Sequence, residues 1–295
     1  MSLLINSYLF GIYTWRKVAT QRSWNNVAMS SDGVKQTAVA DNSQIYTSID
    51  SGITWTARDS SRNWRTIAMS SDGVKQTAAV YVGKIYTSTD SGATWIERMS
   101  DANRNWRSVS MSSDGTIQAA VAGSNQIYIS TDSGVTWNAR DAIRNWYGIS
   151  VSSDGSKMTA VNNGGQIYTS IDYGATWSAR DSNRNWYGVT ISSDGVNQTA
   201  IVYSGQIYTS TDSGATWSAR DSNRNWYSVA ISSDGVKQTA VVYGGQVYTS
   251  TNSGITWTAR NINRNWYGVA MSSDGVNQTA VSISDFIYIN NQSGL

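Results

Sequence analysis

Any chemistry in this sequence has to come from aspartate, arginine and tyrosine, because it contains no histidine, no cysteine and a single glutamate, Glu97. Without histidine it lacks the commonest general base at neutral pH and the commonest metal ligand; without cysteine it lacks thiolate nucleophiles, thiolate metal sites and disulfides. A carboxylate pair could still cleave a glycosidic bond, but that needs two acids in unlike surroundings, one protonated and one ionised. The aspartates stand in repeated surroundings instead. Asp32, Asp72, Asp114, Asp154, Asp194, Asp234 and Asp274 lie in Ser-Ser-Asp-Gly turns, Asp50, Asp90, Asp132, Asp172 and Asp212 in a second kind of turn, and Asp59, Asp101, Asp141, Asp181 and Asp221 in a third series. Only Asp41 and Asp285 fall outside these classes. The sequence therefore predicts no catalytic residue, no enzymatic activity and no cofactor. No metal site is expected either, since the Asp-rich turns lack the alternating ligands and final Glu of an EF-hand loop.

Arginine is concentrated. Arg62-Asn63-Trp64 and Arg104-Asn105-Trp106 are followed by four further Arg-Asn-Trp copies, and Arg58, Arg98, Arg140, Arg180, Arg220 and Arg260 precede them. Guanidinium groups beside indoles can grip phosphate, sulfate, carboxylate or sugar. They can equally staple neighbouring sheets, with Arg58 pairing to Asp59 or stacking on Trp64, and the interleaved acids favour the staple. A less uniform series follows each first tryptophan: Asn25, Arg65, Arg107, Tyr147, Tyr187, Tyr227 and Tyr267. If the strand they begin is innermost, they start at the mouth of a central channel, basic on one arc and aromatic on the other, with Tyr81, Tyr203 and Tyr243 extending the surface. Arg65, Arg107, Tyr147, Tyr187, Tyr227 and Tyr267 are the candidate ligand-binding set; the competing reading is drift at a tolerant exposed position.

The elements that position these groups come from a repeat. Trp24, Trp64, Trp106, Trp146, Trp186, Trp226 and Trp266 recur at steps of 40, 42, 40, 40, 40 and 40 residues, which gives seven units. A second series, Trp15, Trp55, Trp95, Trp137, Trp177, Trp217 and Trp257, accounts with the first for all fourteen tryptophans, and large aromatics at such spacing are expected in the core. Each unit holds four strand signals, as in Trp64 to Ser70, Gln76 to Tyr81, Lys84 to Ser88 and Thr94 to Arg98, separated by tight-turn residues. A single four-stranded meander cannot cover both its faces, whereas seven arranged radially can. The predicted fold is all-β, a seven-bladed β-propeller of four-stranded antiparallel blades, closed by an N-terminal strand around Trp15 that completes the last blade. Residues 1–11 are expected to be an extension and 12–295 one domain. The Asp-rich turns should gather on one face, and the loops around Gly83, Gly123 and Gly205 with the Arg-rich segments on the other.

Composition narrows the partners. A formal charge of +2 and interleaved acids argue against nucleic acid, and no stretch approaches membrane-spanning length. With no recognisable secretion signal and no cysteine, a soluble monomer is expected, in the cytoplasm by preference.

The turn Ser88-Thr89-Asp90-Ser91-Gly92-Ala93-Thr94-Trp95 resembles the Asp-box, or bacterial neuraminidase repeat, S-x-D-x-G-x-T-W. Nearly the same string surrounds Asp50, Asp132, Asp172 and Asp212; Asn252 replaces Asp in the sixth copy, Gln292 stands at that position in the C-terminal unit, and only Gly11, Thr14 and Trp15 remain at the N-terminus. The resemblance implies propeller blades with the motif, structural in role, between third and fourth strands. The chain is also similar to photosystem II stability and assembly factor-like propellers, and more distantly to sialidases and the sortilin ectodomain. The assembly-factor likeness implies a scaffold engaging a protein partner through the Arg/Trp/Tyr loop face. The sialidase likeness implies a tyrosine activated by a glutamate, which the lone Glu97, two residues after an Asp-box tryptophan, is badly placed to supply. A multivalent glycan-binding lectin with equivalent sites between blades remains open, as does recent duplication or deliberate regularisation without a selected ligand.

Overall fold

The computed structural model of the protein describes residues 15–260 and 263–291. The expected extension at residues 1–11, and Gly11, Thr14 and Gln292, lie outside the described residues. Among those described, every regular element is a strand.

The first complete unit shows how sequence becomes sheet. Trp24–Met29, Gln36–Ala40, Ser43–Ser48 and Thr56–Arg62 pair in order as an antiparallel meander, the arrangement of a propeller blade. Alternating apolar residues such as Ala38 and Ala40 turn inward, and Ser-Ser-Asp-Gly closes the first hairpin with Gly33 at φ +75°, a conformation open to glycine at little cost. The next unit follows with Trp64–Met69, Gln76–Val80, Ile85–Ser88 and Ile96–Arg98, within a residue or two of the strands expected from sequence. Further along, Ser178–Ile191 and Ser218–Ile231 each serve one meander as fourth strand and the next as first, so the pairing ladder passes between meanders unbroken.

The ends meet. Arg16–Arg22 pairs antiparallel with Asp285–Asn291, Arg16 opposite Ile289 and Val18 opposite Ile287, supplying the fourth strand that the last meander lacks. Beside the Ser-Ser-Asp-Gly turns Ser31 N–H donates to Ser71 O, Ser71 to Ser113, Ser113 to Ser153, Ser153 to Ser193, Ser193 to Ser233, Ser233 to Ser273 and Ser273 back to Ser31, at 2.8–3.0 Å. These bonds complete a circle.

The core lies between neighbouring sheets. Trp64, fully buried, packs with Val39 and Ile45 of the preceding sheet and with Ile67, Ala78 and Tyr86 of its own. It meets Tyr86 edge-on, with ring centroids 5.1 Å apart, a geometry that aromatic quadrupoles favour and that recurs from Trp24–Tyr46 to Trp266–Tyr288. The second tryptophan series departs from expectation. Trp55, Trp95, Trp137, Trp177, Trp217 and Trp257 are half-buried and lie over their own turns, each donating Nε1–H to the turn glycine, as Trp55 does to Gly52 O at 2.9 Å. Each also packs against the core cluster beside it, so these indoles form the rim of the core and not its fully buried centre.

Buried polar links tie adjacent sheets. Thr37 donates to Gln76 Oε1, Thr77 to Gln118, Thr159 to Gln198, Thr199 to Gln238, Thr239 to Gln278 and Thr279 to Gln36, at 2.6–2.9 Å. At the junction between the third and fourth units both partners are replaced, by Ala119 and Met158, which pack with Ile129 in one apolar cluster. Removing donor and acceptor together leaves no buried group unsatisfied.

Candidate functional site

A register shift follows the first tryptophan of every unit, between Trp24 and Asn26, Trp64 and Thr66, Trp106 and Ser108, and so on to Trp266 and Gly268. Such a bulge re-aims the side chain it contains. Asn25, Arg65, Arg107, Tyr147, Tyr187, Tyr227 and Tyr267 occupy these bulges, and all seven line a central cavity of about 200 Å³. Close approach of the innermost strands makes this possible: a Cβ on Gly148 would lie 3.1 Å from the Gly188 Cα.

The tyrosines form a ladder. Ring centroids are 4.9 Å apart between Tyr147 and Tyr187, 4.7 Å between Tyr187 and Tyr227 and 4.2 Å between Tyr227 and Tyr267. Tyr203 stacks outside Tyr187 at 5.4 Å, and Tyr243 lies 6.0 Å from Tyr227 and 5.9 Å from Tyr267. Above the ladder opens a cleft of about 540 Å³, lined by these six tyrosines with Asn163 and Asn185. Asn163 and Asn185 pair with each other across adjoining strands at this mouth; Asn185 belongs to an Arg-Asn-Trp copy, a signal the sequence offered for the belt and not for the cleft, whereas Asn163 has no such mark. Burial pushes the Tyr187, Tyr227 and Tyr267 hydroxyls up, so these three stay neutral at physiological pH.

The expected division into a basic and an aromatic arc is modified. Arg65 reaches across the channel, with Nη2 3.5 Å from Tyr227 Oη and its guanidinium carbon 6.0 Å from the Tyr267 ring. Burial opposes its charge, but the surrounding oxygens of Tyr227, Tyr187 and Tyr267 outweigh that and raise its pKa overall. Arg107 lies over Tyr147 at 4.7 Å and Tyr81 at 5.8 Å. Asn25 is buried and bound inward, its Nδ2 donating to Asp41 Oδ1 and Trp64 O at 2.7 Å each.

The staple exists, but with the other arginine of each pair. Arg62, Arg104, Arg144, Arg184 and Arg224 pair with Asp59, Asp101, Asp141, Asp181 and Asp221 three residues before them. Arg62 also covers Tyr86 at 4.5 Å and Trp64 at 5.3 Å. The reason is a bulge: Asp59 adopts φ +54°, which Asp tolerates better than most residues, and the turned backbone brings Arg62 back over it. Where Asn261 takes the place of this Asp, Arg264 pairs with Asp285 at 2.9 Å, which accounts for one of the two non-repeating acids. Arg58, Arg98, Arg180, Arg220 and Arg260 instead donate Nε–H to Thr47, Thr87, Thr169, Thr209 and Thr249. Arg140, paired with Ile127, finds Ile129 where the other units carry that threonine, and donates to Ala139 O instead.

The Asp-rich turns adjoin one another, Ser51 N–H donating to Val34 O and Lys75 Nζ to Ser133 Oγ. Their carboxylates are spent locally. Asp90 accepts from Ser88 Oγ (2.8 Å), Thr94 N (2.9 Å) and Thr94 Oγ1 (2.7 Å), and Asp50, Asp132, Asp172 and Asp212 repeat that circuit. Hydrogen bonds from Thr216 and Ser210 lower Asp212 to about 2, against a smaller opposing effect of burial. Asn252 keeps the circuit, accepting from Ser250 Oγ and Thr256 N and donating Nδ2–H to Thr256 Oγ1 at 2.9 Å.

No protein-family model matches the chain, and no curated protein matches its sequence. Solved structures do match in fold. YCF48 from Cyanidioschyzon merolae superimposes with a TM-score of 0.73 at 16% identity, covering 95% of this chain and 99% of that one. YCF48 bound to D1 peptide gives 0.72 at 17%, with 94% of each chain covered. The β-propeller domain of Cps50 (Swd1) from Myceliophteria thermophila gives 0.74 at 10%, covering 94% and 99%. The GH74 enzyme of Niastella koreensis gives 0.74 at 16%, but only 54% of that chain is covered. The fold is a β-propeller.

Proposed function

We propose that the chain is a seven-bladed, Asp-box propeller, one domain over residues 12–295, acting as a monomeric, non-catalytic scaffold that binds a segment of a protein partner across the Tyr/Arg mouth of its channel. Seven tryptophan-marked units and the closed circle of serine bonds support the blade count; the six equivalent turns from Asp50 to Asn252 support the motif. One observation carries the function. Six tyrosines and two arginines that have no carboxylate partner among the described residues converge on one mouth of the channel, while the arginines of the outer belt are engaged within the fold. A ligand site that breaks the symmetry of a repeat suits a single docked segment, and concave sites lined by rings with a few polar groups are where such ligands settle. The peptide carried by one of the YCF48 neighbours is consistent with that use of the fold. Carboxylates saturated by their own turns support a non-catalytic role.

The multivalent lectin is the second reading, favoured by a polar recess of about 450 Å³ between units, lined by Asn263, Arg264, Asn265, Ser284 and Asp285. Calorimetric titration against peptides and glycans separates the two. A stoichiometry of one, abolished by Tyr227→Ala with Arg107→Gln, supports the docked segment. Several sites per chain, abolished by Arg184→Ala-type changes at the unit junctions, would establish the lectin.

A further inference from the structure

The arginines of this face divide by what balances their charge. Arg62, Arg104, Arg144, Arg184, Arg224 and Arg264 each have a carboxylate within 3.5 Å. Arg65 and Arg107, half-buried in the channel mouth, form no ion pair among the described residues; their neighbours are the rings and hydroxyls of tyrosines. The Nε–H of Arg107 is buried and makes no hydrogen bond. Asp41, on a loop at this mouth, is engaged by Asn25 and not by either arginine. The cavity wall thus presents two fixed cations, the serine hydroxyls of Ser108, Ser110 and Ser228, four tyrosines and no acid. A ring face attracts a cation without cancelling its charge, and a partly desolvated cation lacking a counter-charge is costly to keep. Guanidinium groups recognise planar or tetrahedral oxyanions best, through paired N–H donors, and neutral phenols and hydroxyls add further donors.

We propose that Arg65 and Arg107 hold an oxyanion, a carboxylate or phosphate group, in the mouth of the channel, with hydroxyls of the tyrosine ladder as supporting donors. The inference rests on the binding role proposed for this mouth and names the chemistry of what enters it. The group arrives on an acidic side chain of the docked segment or as a free anion. The cavity of about 200 Å³ admits either with room for water, since one water takes up roughly 30 Å³ in the liquid. It also accounts for the break in symmetry: cations at only two of seven equivalent positions define one place and one orientation for the ligand.

The experiment titrates inorganic phosphate into the protein at constant ionic strength, with chloride as the balancing anion, and reads both the melting temperature and the calorimetric stoichiometry. One site per chain and a saturable rise in melting temperature are expected, both lost in Arg65→Gln/Arg107→Gln. Arg107→Lys, which keeps the charge but not the paired donors, should weaken binding more than tenfold without changing the fold. A rise that fails to saturate, or that persists in the double variant, overturns the proposal. An array of acidic peptides and their Glu→Gln counterparts then identifies the source. Acid-dependent peptide binding displaced by phosphate places the anion on a partner. Phosphate binding with no peptide binding leaves a free-anion site and overturns the scaffold reading. Peptides bound regardless of charge, with no phosphate site, overturn the anion while the scaffold reading stands.

Discussion

Asn252 performs at one turn what aspartate performs at five, reversing one hydrogen bond so that its own Nδ2–H donates to Thr256. Geometry and not charge is what the turn requires, and Asp90→Asn is expected to leave the melting temperature at neutral pH nearly unchanged. Acid separates the two residues. Asp90, Asp114, Asp154 and Asp212 have pKa values lowered by the donors around them, the last three to about 2. A lowered folded-state pKa contributes stability that is complete above the unfolded value near 3.9 and is lost as the pH falls through the folded one. Thermal melts from about pH 5 down to pH 2 should therefore show a steep decline, shallower for each Asp→Asn replacement at these turns; a flat profile would refute the assignment. The two tryptophan series should also part. Trp106→Ala is expected to cost about 3–5 kcal/mol, as for a fully buried aromatic, and Trp137→Ala clearly less, measured by denaturant midpoint. That difference was not legible in the sequence, because both series repeat with the same period and nothing in that period separates an indole packed between sheets from one folded back over the turn before it.

Strands were legible because alternation, turn residues and tryptophan spacing agree in every unit. Bulges were not. The bulge after each first tryptophan, which aims Arg65 and Tyr147 at the channel, and the one at Asp59, which sets the ion pair with Arg62, depend on pairing between strands and leave no residue signature of their own. The sequence therefore located the series of residues that lines the channel but assigned the staple to Arg58. It also passed over the coupled exchange of Thr–Gln for Ala119–Met158, since each residue alone reads as ordinary variation. The junction offers a direct test. Met158→Gln alone should destabilise by roughly 1–3 kcal/mol, through a buried amide without its donor. Ala119→Thr with Met158→Gln should recover most of that loss, giving a coupling energy in a double-mutant cycle.

At the scale of the molecule, stability depends on the pairing of Arg16–Arg22 with Asp285–Asn291. Deleting residues 1–22 exposes that edge and removes Trp15 from beside Trp266, 6.3 Å away between centroids. A large fall in melting temperature is expected, with partial rescue by a peptide spanning 15–22 added in trans; unchanged melting would refute the closure. The circle of serine amides has a mechanical side as well. Seven links in series around one bore act as a hoop: no single sheet can swing outward unless the strain is shared by all the others. The channel is then a fitting of fixed calibre, and whatever is admitted at the opposite mouth must be selected by the reach and chemistry of side chains, not by breathing of the walls.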